Sequence, residues 1–372
     1  MNAAKHPHFL PPWRDRLRPI RFASSAANAD VVSARGERPL PGLRRRCIIT
    51  LIGLILLFSF SAPPAAHAAE PVHEILLIVG APGEGDYTEG FASAARAWEA
   101  AATRISAPIT VIGLDETPSA DAAVESDRDQ LRAWCAAHET ETRTPAWIVY
   151  LGHGTFDGRE ARLNLRGPDV TAKEIATWLA PLDRPLVFIH GGSAGAPFIS
   201  ALSGPDRIII SATRSGHELN YARFGERFAE AVANPSADID QDGQTSLLEA
   251  FVTAAQQVQA FYAETGRLAT EHALIDDNGD HQGTPADWFR GVRLQRRPEG
   301  NAIPDGDAAK LIALIPSDAE RALTSTQREA RHRLERELDG LRARKSELPA
   351  DEYYRQLESL FRRLGSIYRT DS

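Results

Sequence analysis

The chain has 372 residues, 43% of them hydrophobic and 25% charged, which is enough for one large domain with a sizeable core plus appendages. Its formal net charge of -8 at pH 7 argues against a nucleic-acid partner, because phosphates call for a basic face.

Residues 1–42 are rich in Arg, Pro and Ala and lack apolar periodicity. They read as a disordered extension, or as upstream sequence carried in by a misplaced start, since Met1 is the only methionine. A secretory signal follows over 43–68: a basic Leu43-Arg44-Arg45-Arg46, an apolar run Ile48 to Phe60, and a small-residue cleavage site Ala66-His67-Ala68. This predicts a periplasmic or secreted protein, with membrane attachment only through an uncleaved leader. Cys47 precedes the apolar run, so no lipoprotein anchor is indicated. Cleavage leaves Cys135 as the one cysteine, and no internal disulfide can form.

In the mature chain, Ile75 to Val79 reads as a strand, and Gly80 to Gly85 as a strand-to-helix turn, because no Gly-Lys-Ser/Thr follows to hold a phosphate. Helices are predicted over Thr88–Thr103, with Phe91, Ala94, Ala95 and Trp98 on one face, and over Ala120–His138; strand Ile109–Leu114 lies between them. Ala146 to Leu151 is a further strand. Arg159 to Leu165 reads as a hairpin arm, and Asp169 or Thr171 caps a helix through Leu179. Leu186–Ile189 and Arg207–Ala212 are strands, with a short helix Ala196–Leu202 between them. Continuous apolar runs alternating with helices predict a mostly parallel sheet covered on both faces.

Two strand ends carry chemistry. Ala146–Leu151 ends in Gly152-His153-Gly154, and the next strand ends in His190-Gly191-Gly192-Ser193-Ala194-Gly195. If the strands are neighbours, an imidazole and a hydroxyl share the carboxyl edge of the sheet, where ligands bind in open α/β folds. The N–H groups of Gly154 and Ser193 would then offer an oxyanion hole. These stretches resemble the caspase-like peptidases, the clan of legumains, metacaspases and caspases, over roughly 75–280. There one strand ends in His-Gly and the next in a nucleophilic cysteine followed by a small-residue turn. The resemblance implies a caspase-like fold, His153 as base and Ser193 at the cysteine position. The family's thiolate itself is missing, since Cys135 lies in a helical stretch far from either motif.

Helical stretches at Arg223–Ala233 and Leu247–Thr265 flank an EF-hand pattern: Asp238, Asp240, Asp242, Gly243, Gln244, Ser246 and Glu249 at its successive ligand and turn positions. Carboxylates at alternate positions wrap a hard cation, Gly243 allows the tight turn, Gln244 offers its carbonyl, Ser246 acts through water, and Glu249 closes the shell bidentately. This predicts bound Ca2+. The later cluster Asp276-Asp277-Asn278-Gly279-Asp280 reads as a turn, with Asn-Gly at its centre.

The α/β domain is assigned to 69–302 and a linker to Ile303–Asp307. Two amphipathic helices then form an antiparallel hairpin or short coiled coil: Ser325–Lys345, and a second that Pro349 and Asp351 begin. The hairpin packs on the main domain or binds a partner.

Three readings follow. The favoured one is an exported, degenerate peptidase stabilised by calcium and acting by binding a peptide or protein. The second is a hydrolase using Ser193 and His153, with Asp157 orienting the ring. The third takes Gly191-Gly192-Ser193-Ala194-Gly195 as the nucleophile elbow of an α/β-hydrolase, with Asp238 or Asp277 as acid and His272 as base.

Overall fold

The computed structural model describes residues 73–83, 87–114, 125–138, 144–296 and 304–369, so the N-terminal extension and the signal at 43–68 lie outside the described residues, as does part of the Gly80–Gly85 turn. The first half of the domain contains β1 (Glu74–Val79), α1 (Thr88–Arg104), β2 (Ile109–Ile112), α2 (Asp127–Ala137) and β3 (Ala146–Leu151). Short strands β4 (Gly154–Phe156), β5 (Ala161–Leu163) and β6 (Val170–Thr171) come next, then α3 (Ala172–Leu179). The second half runs through β7 (Leu186–His190), α4 (Ala196–Leu202), β8 (Arg207–Ser211), α5 (Phe224–Ala231) and α6 (Leu247–Glu264). It closes with β9 (Leu274–Asp276), β10 (Thr284–Pro285), β11 (Phe289–Arg290) and β12 (Arg293–Leu294), and the chain continues into α7 (Asp318–Arg321), α8 (Ser325–Ala343) and α9 (Ala350–Ile367).

The main sheet has the strand order β10-β9-β8-β7-β3-β1-β2. From β2 to β8 all neighbours are parallel, and β9 and β10 add an antiparallel edge. Successive side chains of a strand point to opposite faces. In β1, Ile75, Leu77 and Val79 enter the core beneath α1, α5 and α6, whereas Leu76 and Ile78 enter the core beneath α2, α3 and α4. Both faces are dry, which is why these strands read as unbroken apolar runs.

Local signals place the helices. Thr171 is the N-cap of α3: its hydroxyl accepts from Glu174 N at 3.2 Å, and Glu174 Oε2 accepts from Thr171 N at 2.9 Å. That reciprocal box satisfies two otherwise unpaired donors and settles the choice between the two capping residues. Asp169 instead accepts from Leu165 N. The predicted hairpin arm is one part of a separate three-stranded sheet, β4-β5-β6. The acidic turn at 276–280 is present, with Gly279 N donating to Asp276 Oδ1 at 3.0 Å, and it begins where the edge strand β9 ends.

The stretch read as a linker packs against the domain over its described part. Asp305 is buried and accepts from Asp277 N, Thr284 N and Thr284 Oγ1. In turn Asp277 accepts from the N–H groups of Gly306, Ala308 and Ala309. Farther on, His73 Nε2 donates to Ala313 O at 3.0 Å while its Nδ1 accepts from Trp147 Nε1. The described residues, hairpin included, fall in one compact unit. Leu334, Leu338 and Leu341 of α8 pack on Tyr353 and Leu360 of α9. No described helix is long and apolar enough to cross a membrane.

Asp305 gives the fold a pH dependence. Burial first, then the neighbouring charges of Asp277 and Asp276, push its carboxyl up to about 7. The folded chain therefore holds a proton between about pH 4 and pH 7 that the unfolded chain releases, so stability falls as pH climbs through that window, by roughly 3–4 kcal/mol. Asp305→Asn is expected to flatten this slope. Urea midpoints at about pH 4.5 and pH 7.5 measure it, and an equal slope in both proteins would refute the assignment.

Candidate functional site

Strands β3 and β7 are adjacent and parallel, with Tyr150 opposite His190. His153 and Ser193 each lie three residues beyond that pair, so both strands deliver their motif residue to the same rim. The loops that carry them pass close to each other. A Cβ on Gly192 would overlap Gly152 O, and one on Gly154 would overlap Ser193 O, so the absence of a side chain is what lets the loops touch. Beneath them Tyr150 is fully buried, and its hydroxyl bonds to the carbonyls of His153 and Asn164.

The two motif side chains are brought to one edge but not joined. Ser193 is 1% exposed. Its Oγ accepts from Gly154 N at 3.0 Å and donates to Gly154 O at 3.2 Å, so the two peptide groups flanking Gly154 engage the hydroxyl as acceptor and as donor. The Gly154 N–H assigned to an oxyanion hole thus points at the serine itself. His153 is half-buried, and Tyr87, Phe91 and Tyr221 wall its ring at centroid distances of 5.0, 5.5 and 5.8 Å. Its Nε2 lies 3.3 Å from Pro82 O. A carbonyl can only accept, so this nitrogen carries the proton, leaving Nδ1 as the basic atom. Among the described residues no hydrogen bond links His153 to Ser193.

The expected carboxylate partners are engaged elsewhere. Asp157 does not orient His153: it accepts from Arg159 N, Glu160 N and Arg162 in the β4–β5 turn. Those bonds hold its carboxyl down to about 2. In the nucleophile-elbow reading, Asp277 caps the 306–309 backbone and Asp238 holds its own loop, accepting from Asp242 N and Gly243 N. His272 is tied to Glu218, Nδ1 to Oε1 at 2.6 Å. None of the three is hydrogen-bonded to Ser193. Cys135 is buried in α2, and burial pushes its thiol up to about 12, which makes it inert.

The acidic loop brings three carboxylates together. Ligand oxygens of Asp238, Asp240 and Asp242 lie within 4.8 Å of one another. Gln241 and Gly243 take left-handed φ values of 61° and 92°, which wrap the backbone. Burial, then the charges of Glu249, Asp242 and Asp238, raise the Asp240 carboxyl to about 6. Glu249 is 1% exposed and turned inward. One of its oxygens accepts from Ile239 N and Asp240 N, the other from Ser246 N and Ser246 Oγ. Ser246, expected to act through water, also caps α6 by accepting from Glu249 N. Gln244 Oε1 accepts from Ser317 N, so its side chain is anchored and its carbonyl remains the oxygen that the pattern assigns. Oxygen donors only, with several carboxylates, suit a hard divalent cation such as Ca2+.

Among solved structures the chain is similar to the Drosophila initiator caspase Dronc, at 13% identity over 56% of this chain and 81% of that one, with a TM-score of 0.33. It is similar to caspase-1 from Spodoptera frugiperda at 10% identity over 55% and 86%, TM-score 0.35. It is also similar to Chaetomium thermophilum Raptor at 11% identity over 52% and 19%, TM-score 0.30. No family model and no curated protein matches the chain.

Two site features escape a reading of the sequence. His190, fully buried under the Ser193 turn, accepts from Gly192 N on Nδ1, and burial lowers its ring to about 4, so it packs as a neutral ring between Tyr150 and Phe198. It stood in plain sight in the motif, but nothing marks a strand-end histidine as inward-facing. Glu218 holds Arg214 N and His272 through its carboxylate, while its main-chain O accepts from Ala194 N. Its partners lie as far as 54 residues away in sequence, and no local pattern signals them.

Proposed function

We propose that this chain is a degenerate caspase-like domain, exported from the cytoplasm, stabilised by Ca2+ at the 238–249 loop, and working by binding a peptide or protein rather than by hydrolysis. One observation carries the reading: both hydrogen-bonding functions of the Ser193 hydroxyl go to Gly154, and none to His153. A serine nucleophile needs an oriented base to take its proton. Here the base is absent from the hydroxyl, no carboxylate among the described residues backs the imidazole, and the oxyanion donor is already used. The motif geometry inherited from a peptidase then serves as a brace between two loops. The half-buried rings of Tyr87 and Tyr221, backed by the buried Phe91, offer an aromatic surface beside His153 for a peptide ligand.

The competing reading, hydrolysis by Ser193 with His153 as base, is favoured by their delivery to one sheet edge. One experiment separates the two. A fluorophosphonate probe is expected to leave the wild-type chain unlabelled, and Ser193→Ala is expected to lower stability by about 1–3 kcal/mol, because it strips the buried Gly154 N–H of its acceptor. Labelling of the wild type that disappears in Ser193→Ala overturns the binding-module reading.

A further inference from the structure

The turn at 276–282 repeats the backbone of the 238–249 loop. Counted from Asp238, the fourth and sixth positions of that loop are left-handed, Gln241 with φ 61° and Gly243 with φ 92°. Counted from Asp276, the same two positions are Gly279 with φ 76° and His281 with φ 67°. Oxygen-bearing side chains stand at the first, third and fifth positions of each: Asp238, Asp240 and Asp242 in one, Asp276, Asn278 and Asp280 in the other. In both, the fifth carboxylate accepts from the N–H of a glutamine at the seventh, Asp242 from Gln244 at 3.1 Å and Asp280 from Gln282 at 2.8 Å. Glycine is the usual sixth residue, because side chains disfavour left-handed backbone. His281 is held in that conformation by α4: its N–H donates to Ser203 Oγ at 3.1 Å and its Nδ1 to Ser200 O at 3.0 Å.

Backbone shape alone describes a turn, and Asp276 is what separates this one from a turn. The residue is 1% exposed, and its carboxyl is turned into the loop, since Oδ1 accepts from Gly279 N at 3.0 Å. Oδ2, on the same carbon, is sealed from solvent and has no hydrogen-bond partner among the described residues. A buried carboxylate oxygen without a donor is unfavourable, and a bound cation removes that penalty. Asp305 adds to the need, because its carboxyl feels the charge of Asp276. Among the described residues no Lys, Arg or His forms an ion pair with Asp276, Asp280 or Asp305. We infer that 276–282 is a second site for a hard divalent cation, Ca2+ foremost, with ligands from Asp276 Oδ2, the Asn278 side-chain carbonyl, the Asp280 carboxylate and the main-chain O of Gln282. It is the weaker of the two. It brings two carboxylates where 238–249 brings four, and Asp287, at the twelfth position, pairs with Arg296 at 3.5 Å on the surface instead of turning inward as Glu249 does. Water therefore completes the shell, and the expected dissociation constant is about 10⁻⁴–10⁻³ M. Calcium at a level that fills the 238–249 loop leaves this one largely empty.

The test is a site-resolved titration: amide NMR spectra of the isotope-labelled full chain as CaCl2 is raised from about 10⁻⁶ M to about 10⁻² M, with NaCl of equal ionic strength as control. The amides of Gly279, Asp280 and Gln282 are expected to shift along a curve of their own, after those of 238–249 have reached their limit. Asp280→Asn keeps an oxygen to accept from Gln282 N and removes one charge. It is expected to weaken the second curve about tenfold or more and to leave the first unchanged, whereas Asp240→Ala should do the reverse. Absence of calcium-specific shifts at 276–282, or equal shifts in Asp280→Asn and wild type, overturns the inference. A second curve without a first leaves it standing and removes the 238–249 assignment instead.

Discussion

Saturating Ca2+ is expected to raise the thermal midpoint of the wild-type chain by roughly 5 °C, the shift that a ligand at about a hundred times its dissociation constant gives a protein of this size. The response should vanish in Asp240→Ala. Asp240 lies on a surface loop outside the core, so its removal leaves the core intact, yet its carboxyl is partly shielded from water among Asp238, Asp242 and Glu249 and feels the charge of all three. In chelator the variant is expected to be the more stable protein, since it lacks the repulsion that raises this carboxyl. That reversal of order separates a metal ligand from an ordinary surface residue, whose loss would leave the two curves together under both conditions. Identical melting of wild type with Ca2+ and with chelator removes the calcium assignment.

Gly192→Ala is expected to cost on the order of 3 kcal/mol or more, the upper range for forcing an atom into a packed site. The new methyl would overlap Gly152 O, a main-chain atom of the neighbouring loop that cannot swing away as a side chain would. Relief requires the β3 and β7 loops to part, which would also break the Gly154–Ser193 bonds. Gly204→Ala is the matched control: its nearest contact would be an Arg207 side-chain atom at 3.8 Å, and it should be nearly neutral. Urea unfolding of both variants decides the matter, and similar midpoints would show that the loops are not in the close contact described.

The parts of this fold legible in sequence were those with a strong local cause. β1, β3, β7 and β8 declare themselves because burial on both faces removes polar residues from the run, and α3 and α6 because a hydroxyl at the cap meets a Glu three residues on. The placement of His153 and Ser193 on one rim follows once two such strands are neighbours. What stayed hidden is short or distant. β4, β6 and β9 have only two or three residues each, too few for any periodicity. The Pro-Gly stretch near 305 looks like a linker, because a buried Asp that caps amides 21 and 28 residues away leaves no local trace. The clamp of Ser193 on Gly154 depends on a loop-to-loop distance, and so does the diversion of Asp157 into its own turn. Sequence places these side chains near the chemistry but does not say which atom each one bonds.

The acidic loop and the hairpin share a tether. Leu247 N donates to Ile312 O at 2.7 Å, Ser246 bridges Ala313, and Ser317 N is held by Gln244, all just ahead of α7 and α8. The helical arm is therefore rooted on the acidic loop itself, and a substitution that unravelled 244–247 would release the footing of both at once.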